Sequence, residues 1–314
     1  INLAGIHASI RLQMILVVIF VVSLLSFGIG GLFYLDWDLL TPVAPNGIES
    51  ILNAAVPAFY SYSGFITIIA IGEEIKNPGK NIPLTLAITF FFVATIYTLV
   101  TLVLPGIIPW QELGKIVAPM TSASKIFLPD WFAIVITLSA LLAAATSAKV
   151  AWITASRSFF ALARHKIYPE ILSHLNSRTN EPVVALLLVG LLTMGGIALE
   201  GNIIQYASAN VIGLMFYGIV WSIGLIRLPK VLPEHYANAE FKLNIPTIWV
   251  AAIIKITISV GFLYVGIVNN LGPAGIYAIL IMIGAAYYLL RENHLSKKGI
   301  SLKQILRNEA DQVF

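Results

Sequence analysis

One long apolar run is interrupted by residue types that weaken helices. Residues 58–80 read AFYSYSGFITIIAIGEEIKNPGK, which is long enough to cross a membrane, yet Ser61, Tyr62, Ser63 and Gly64 lie inside the run. Serine side chains compete with the helix by bonding to nearby backbone, and glycine tolerates unusual backbone angles. Backbone groups freed in lipid need a partner, so a break is stable only inside protein or beside a water-filled cavity. The pattern is typical of a discontinuous helix that binds a solute, and the alternative is an ordinary kink.

Two glutamates close the same run and are candidates for a gate. Glu73 and Glu74 directly precede the sequence IKNPGK, where the helix would reach the membrane surface. They could act as an inner gate or as a proton site. The alternative is a surface cluster with Lys76 and Lys80, in which an exposed ion pair contributes only ~0–1 kcal/mol.

A lysine lies inside another apolar run. Lys149 belongs to the run 131–163, and a charge at the centre of a membrane helix costs roughly 2.5–3.5 kcal/mol on insertion scales, which marks a functional candidate. Ser139, Thr146 and Ser156 fall on the same helical face, so the run carries a polar stripe. The ammonium could replace a bound cation or carry a transported proton. The alternative is that its long side chain snorkels toward the cytoplasm.

The sequence contains no residue pattern that is typical of an enzyme. The chain has no cysteine, and its five histidines show no metal-ligand spacing. No catalytic triad, phosphate-binding loop or pair of catalytic carboxylates stands out. We therefore expect no enzyme activity, no metal and no cofactor.

The composition indicates a protein that lies in a membrane. Hydrophobic residues make up 58% of the chain and charged residues 11%, with a mean hydropathy of +0.88. A soluble domain carries about 25% charged residues. The formal net charge of +4 is small for a nucleic-acid-binding protein. The lipid bilayer is therefore the expected partner, and nucleic acid is not.

The apolar runs predict an all-α polytopic membrane protein. A membrane helix needs about 20 mostly apolar residues. By this criterion the sequence holds about eight transmembrane helices, at 9–33, 51–73, 82–106, 131–163, 182–200, 202–228, 247–269 and 272–290. We expect one transmembrane domain over residues 1–290 and a cytoplasmic tail over residues 291–314.

Basic residues in the loops predict the orientation. One set of loops is rich in arginine and lysine, as in the turn after Arg164, whereas the other set holds Lys115 and Lys125 among acidic residues. Loops rich in Lys and Arg stay in the cytoplasm. Both ends of this chain are therefore expected on the cytoplasmic side, and the expected location is the plasma membrane.

Four motifs resemble the amino acid–polyamine–organocation transporter superfamily. Residues 60–83, YSYSGFITIIAIGEEIKNPGKNIP, are similar to its sixth-helix signature. TASRSFFALARHKIYPEIL (154–172) resembles the end of the eighth helix, INLAGIHASIRLQMIL (1–16) the start of the fifth, and FYGIVWSIGLIRLPKVLP (216–233) the end of the tenth. The motifs occur in the family's order. The chain is thus identified as a member that resembles helices five to twelve, with helices one to four missing.

The resemblance implies a partial leucine-transporter-like fold. That fold has two inverted five-helix repeats plus two further helices, so the second repeat would occupy 51–228 and the last two helices 247–290. In the family, a glycine-rich stretch of the first helix grips the carboxylate of the substrate, so the missing N-terminal helices are an expected partner. Lys255 lies in the peripheral last helices, where we expect its side chain to snorkel toward the surface.

The resemblance also implies roles for the residues at the break. Family members bind the amino end of an amino acid with backbone groups at the unwound centre of this helix. The positions that match this centre are Ser61, Tyr62, Ser63, Gly64 and Phe65. Tyr60 matches an aromatic gate over the substrate. Ile66 stands where many members have an acidic residue, which favours a neutral, apolar amino acid as substrate.

The eighth helix of the family contributes to a sodium-like cation site. Thr146 and Ser147 match hydroxyl positions near that site, and Lys149 lies beside them in the sequence. Some proton-coupled relatives place a lysine on the fifth helix, at a position that corresponds to Phe20 in this chain. Lys149 would then supply the charge from a different helix.

Three functions follow from these patterns. The sequence predicts a secondary active transporter of amino acids that works by alternating access, as a proton-coupled carrier or an exchanger. An alternative within the same class is a polyamine or cationic amino acid exchanger. The alternative from another class is a truncated or split membrane fragment without independent transport activity.

Overall fold

The computed structural model of this chain describes residues 6–66, 68, 75–177, 181–198, 201, 203–239, 241–269, 271–302 and 304–305. The helices in chain order are α1 Ile6–Leu32, α2 Gly47–Phe59, α3 Pro78–Ile107, α4 Trp110–Leu113, α5 Pro119–Phe127, α6 Asp130–Arg164, α7 Val183–Ala198, α8 Ile203–Val231, α9 Pro233–Asn238, α10 Ile245–Asn269 and α11 Leu271–Ser296. Short 3-10 segments span Trp37–Leu40, Tyr60–Ile66 and Glu170–Ser173.

Six of the described helices are long and apolar enough to cross a membrane. They are α1, α3, α6, α8, α10 and α11. Helix α7 is apolar but has 16 residues, and α2 has 13 residues and continues into the 3-10 segment Tyr60–Ile66. The predicted class, an all-α polytopic membrane protein, is confirmed. The eight predicted spans correspond to six membrane-length helices and two shorter elements.

Proline sets the start of several helices. Helices α5 and α9 begin with Pro119 and Pro233 in their first turn. Proline is favoured there because the first N–H groups of a helix have no partner within it. Helix α3 begins at Pro78, directly after Asn77, whose φ of 48° turns the chain through the left-handed region. The loops before these helices therefore end where the sequence has proline.

The contacts divide the chain into two compact units. Unit 1 comprises residues 1–47 and 83–151, and unit 2 comprises residues 48–82 and 152–314. Each unit has its own hydrophobic core. The single transmembrane domain and the repeat boundaries expected from the sequence stay predictions.

Unit 1 is held together by a close approach of α1 and α3. Its buried core residues are Phe27, Val103, Ile108, Ala123 and Ile136. A Cβ added at Gly28 would lie 2.9 Å from Leu99 Cβ, and one added at Gly31 would lie 2.3 Å from Val103 Cγ1. Small residues let membrane helices approach closely, because van der Waals packing replaces the hydrophobic effect there. The two glycines therefore fix the spacing of α1 and α3.

The core of unit 2 lies between α2, α8 and α10. Val56, Val211 and Met215 are its buried members, and Phe59 and Phe262 pack against them. Helix α8 is apolar over most of its length, and its buried residues include two serines and one glycine, Ser208, Ser222 and Gly218. The face of α8 turned toward α2 and α10 is therefore buried along several turns of the helix.

The loop after α6 is fastened to the last helix of unit 2. Lys166 has a φ of 61°, which reverses the chain at the end of α6. The Tyr287 hydroxyl donates to the carbonyl of Ile167 at 3.1 Å, and Arg291 Nε donates to the carbonyl of Lys166 at 3.0 Å. Two side chains of α11 thus satisfy backbone acceptors that the end of α6 leaves open.

Candidate functional site

The predicted interruption is present as a change of helix type. Helix α2 ends at Phe59, and the seven residues Tyr60–Ile66 form a 3-10 helix. Pro57 lies inside α2 and has no N–H, so it removes a hydrogen bond from the last turn of α2. A 3-10 helix has poorer hydrogen-bond geometry, and such stretches often mark a functional hinge. Proline and the serine–glycine sequence that follows it therefore act together to end the α-helix here.

The side chains of the break are only partly covered. Tyr60 has 45% of its surface exposed, and a Cβ added at Gly64 would have no other heavy atom within 4 Å. The rings of Tyr62 and Phe65 are stacked, with centroids 6.2 Å apart and planes 13° apart. Ser61 is exposed and Ser63 is half-buried. The break therefore offers open space beside Gly64 and the aromatic faces of Tyr62 and Phe65.

Helix α2 is docked on α10 in an antiparallel register. Asn269 Nδ2 donates to Asn53 Oδ1 at 2.5 Å and to the carbonyl of Val265 at 2.9 Å. One turn further along α2, a Cβ added at Gly266 would lie 3.7 Å from Val56 Cγ1. The position of α2 before the break is thus set by α10.

The last residue of α2 lies under two side chains of α10. The rings of Phe59 and Phe262 meet edge to face with centroids 5.3 Å apart. Lys255 Nζ lies 5.8 Å from the centroid of the same Phe59 ring, a cation–π distance. Lys255 is half-buried. The structure thus differs from the sequence expectation, because the Lys255 side chain ends against Phe59 instead of snorkelling to the surface.

Gly218 of α8 makes room for this lysine. A Cβ added at Gly218 would lie 2.8 Å from Lys255 Cε, 3.4 Å from Lys255 Nζ and 3.3 Å from Ser259 Oγ. Ser259 is fully buried, and its hydroxyl has no hydrogen-bond partner among the described residues. No described carboxylate lies within ion-pair distance of Lys255. The ammonium and the hydroxyl therefore lie close together beside the end of α2, and no described residue there carries a negative charge.

The polar stripe predicted on α6 is partly buried. Ser139 and Ser156 are buried, and Ser139 Oγ lies 3.3 Å from Ser23 Oγ of α1. Thr146 is half-buried and donates to the carbonyl of Ala143 at 2.9 Å. Lys149 is half-buried and Ser147 is exposed. These last residues belong to unit 1, whereas the break belongs to unit 2, so their role in coupling stays a prediction.

Two predicted site residues lie outside the described residues. They are the gate candidates Glu73 and Glu74. The loop that follows them is described from Ile75 onward, and Asn81 Nδ2 donates to the carbonyl of Lys76 at 2.6 Å. This hydrogen bond closes the turn through Asn77 at the start of α3.

Sequence reasoning missed Pro57 and Ser259, and it placed the side chain of Lys255 at the surface. Pro57 was a readable signal, since proline inside an apolar run predicts a break close to it. Lys255 and Ser259 were also readable as a pair, because residues four apart lie on one face of a helix. The contact of Lys255 with Phe59 could not be predicted from the sequence, because it joins segments nearly two hundred residues apart.

Membrane-length helices, and an α-helix that changes to a 3-10 helix at a polar stretch, define a multi-pass membrane protein. The amino acid permease family model matches residues 1–286, and the chain belongs to that family. The resemblance to the amino acid–polyamine–organocation transporter superfamily is thereby confirmed.

The curated relatives are named as transporters. The chain is 28% identical over 260 residues to a methylthioribose transporter of Bacillus subtilis (strain 168), which covers 83% of this chain and 55% of the relative. It is 25% identical over 233 residues to a branched-chain amino acid permease of the same organism, covering 73% of this chain and 49% of the relative.

Plant relatives include transporters with a different named substrate. The chain is 27% identical over 201 residues to "Cationic amino acid transporter 4, vacuolar" of Arabidopsis thaliana, covering 64% of this chain and 33% of the relative. The chain therefore spans between about a third and about half of the length of the curated relatives it matches.

Proposed function

We propose that this chain is part of a secondary active transporter that moves amino acids across the plasma membrane by alternating access. The observation that carries the proposal is the 3-10 break at Tyr60–Ile66 in a chain of the amino acid permease family. Transporters with discontinuous helices bind their solutes at such breaks. In the orientation that the basic residues of the loops predict, both ends of the chain lie in the cytoplasm.

The substrate would bind to the backbone of the break. The amino end of an amino acid contacts the polar backbone groups of Ser61, Tyr62, Ser63, Gly64 and Phe65. The open space at Gly64 leaves room for the solute. Tyr60, which is exposed at the start of the 3-10 segment, closes over the bound solute as an aromatic gate.

The proposed substrate class is a neutral, apolar amino acid. The break carries no acidic side chain, because Ile66 stands where a carboxylate could pair with a cationic substrate. The stacked rings of Tyr62 and Phe65 present an apolar surface. A relative named as a branched-chain amino acid permease supports this choice, and relatives named as cationic amino acid transporters support the rival, a cationic amino acid or polyamine exchanger.

Coupling and gating are assigned to residues outside the break. Lys149, with Thr146 and Ser147, is the candidate for a cation-like site that carries the transported proton. Glu73 and Glu74 are the candidates for the inner gate. The half-buried environment of Lys149 in the membrane-length helix α6 supports the first assignment.

The test is uptake of labelled amino acids into proteoliposomes that hold the complete protein to which this chain belongs. Leucine, alanine, arginine, lysine and putrescine are compared at pH 5 and pH 8, with and without sodium. We expect uptake of leucine, stimulated at low external pH or by internal amino acid. Uptake of none of these solutes contradicts the transporter, and uptake of arginine or putrescine alone supports the rival.

A substitution at the break ties the activity to this site. Gly64→Leu fills the open space beside the 3-10 segment, so the KM for leucine should rise by about tenfold or more while the protein still folds. Gly261→Leu is the matched control, because Gly261 also has no heavy atom within 4 Å of an added Cβ but lies on α10 away from the break. An equal KM in both variants would place the substrate elsewhere.

A further inference from the structure

Lys255 brings a positive charge to the end of the broken helix. It lies about 15 Å along α10 from Ile245, the first residue of that helix, so it is far from both helix ends. Its ammonium lies over the ring of Phe59, the last residue of α2, and Tyr60 follows at the start of the 3-10 segment. An ammonium inside a membrane span is costly and marks a functional position.

The C-terminal end of α2 is a suitable place for such a charge. The carbonyl groups of the last turn give a helix C-terminus a partial negative charge, which attracts cations. In discontinuous helices the same carbonyl groups bind cationic ligands. Lys255 therefore supplies a tethered cation where a cationic group of a solute would otherwise be favoured.

In the part of the chain that the structure describes, no acidic side chain pairs with Lys255. Phe59, Ser259 and Gly218 are its described neighbours, and none of them carries a negative charge. The buried Ser259 hydroxyl, four residues along α10, also lacks a described partner. A cavity of about 760 Å³ between α8 and α10 has Lys255 as the single charged residue of its lining. Among the described residues, no carboxylate balances the positive charge that Lys255 brings to Phe59 at the end of α2.

We propose that Lys255 is a specificity-determining residue that excludes solutes with a net positive charge from the site at Tyr60–Phe65. This inference rests on the proposed function and names its substrate class more narrowly. A zwitterionic amino acid has no net charge, and its carboxylate is attracted by Lys255. Arginine, lysine and polyamines each carry at least one further positive charge, which Lys255 repels.

The size of the effect follows from Coulomb's law. Two unit charges roughly 12 Å apart, at an effective dielectric constant of about 20, change a binding equilibrium by about tenfold. Removal of Lys255 should therefore improve the competition of arginine relative to alanine by about tenfold. Putrescine, which has no carboxylate to be attracted, should improve at least as much.

The experiment is competition against labelled leucine uptake by the complete protein in proteoliposomes. The inhibition constants of arginine, alanine and putrescine are measured in the wild type, in Lys255→Met and in Lys255→Arg. The ratio of the arginine constant to the alanine constant is the readout, since a general loss of folded protein does not change a ratio. We expect this ratio to fall about tenfold in Lys255→Met and to stay at the wild-type value in Lys255→Arg.

A second variant tests the position of the charge. In Gly218→Ala the new methyl group would lie 2.8 Å from Lys255 Cε, so the end of this flexible side chain must shift from its place between α8 and α10. The ratio should fall in this variant too, although the lysine is still present. Lys115→Met, at an exposed position, is the control for loss of a charge elsewhere and should leave the ratio unchanged.

The outcomes separate the two proposals. If the wild type takes up leucine but the ratio is the same in Lys255→Met, the charge filter is wrong and the transporter stands. A wild type that prefers arginine to leucine also overturns the filter. If the wild type takes up and binds none of the amino acids, the proposed function itself is wrong.

Discussion

Gly31 offers a direct test of the close approach of α1 and α3. In Gly31→Ala, the new Cβ would lie 2.3 Å from Val103 Cγ1, 3.2 Å from Val103 Cγ2 and 3.3 Å from Phe127 Cζ. Val103 is completely buried, and valine in a helix strongly prefers one rotamer. Both of its methyl groups crowd the new atom, so rotation of the valine side chain does not relieve the clash. The helices must move apart.

The cost can be estimated from overpacking of other cores. An extra methyl group in a closely packed core typically destabilises a protein by about 1–3 kcal/mol. For a chain of this size, 1 kcal/mol corresponds to roughly 2 °C in the midpoint of thermal unfolding. Gly31→Ala should therefore unfold about 2–6 °C below the wild type.

The assay is thermal unfolding of the complete protein in detergent, with Gly261→Ala as the matched control. Gly261 is in the middle of α10 and has open space around an added Cβ. Replacing glycine by alanine there should stabilise the protein by about 0.4–1 kcal/mol, so the two variants should shift in opposite directions. The reasoning is refuted if Gly31→Ala is as stable as Gly261→Ala. Combining Gly31→Ala with Val103→Ala should recover part of the loss, because the two sites share one contact.

Two further predictions concern the register of α2 and the coupling residue. Asn269→Ala removes the hydrogen bond to Asn53 Oδ1. The free energy of unfolding should fall by about 0.6–1.7 kcal/mol, from the average to the maximum value of interhelical hydrogen bonds in membranes. In a double-mutant cycle with Asn53→Ala, additive losses would mean that the two side chains do not interact. Lys149→Ala should abolish the dependence of leucine uptake on pH while exchange of internal for external leucine continues, and an unchanged pH profile would show that Lys149 is not the proton carrier.

The sequence predicted the helices well because apolar length is a local property. The runs 82–106, 202–228 and 247–269 became α3, α8 and α10 with ends shifted by a few residues. The run 51–73 was predicted with an interruption at Ser61–Gly64, and the 3-10 segment spans Tyr60–Ile66, but the part that Pro57 plays in ending α2 was not predicted. A local sequence pattern thus predicts the type of an element better than its first and last residues.

The site was less predictable than the fold because its contacts are not local. The break itself was readable from Ser61 to Gly64, whereas the placement of Lys255 over Phe59 required the pairing of α2 with α10. The family resemblance implied that the last two helices are peripheral, so Lys255 was not expected near the site. In the structure, α10 is the helix that holds the first half of the break through Asn269 and Phe262.

The fastening of the α6 loop to α11 has a consequence for the order in which the protein is made. The carbonyl of Ile167 cannot accept its hydrogen bond until Tyr287, which lies 120 residues later in the chain, has been synthesised. At about 5–20 residues per second, a ribosome needs on the order of 6–24 s to supply that partner. During this interval the two hydrogen bonds from α11 to the loop cannot form. The turn after α6 is therefore completed only after α11 has been synthesised.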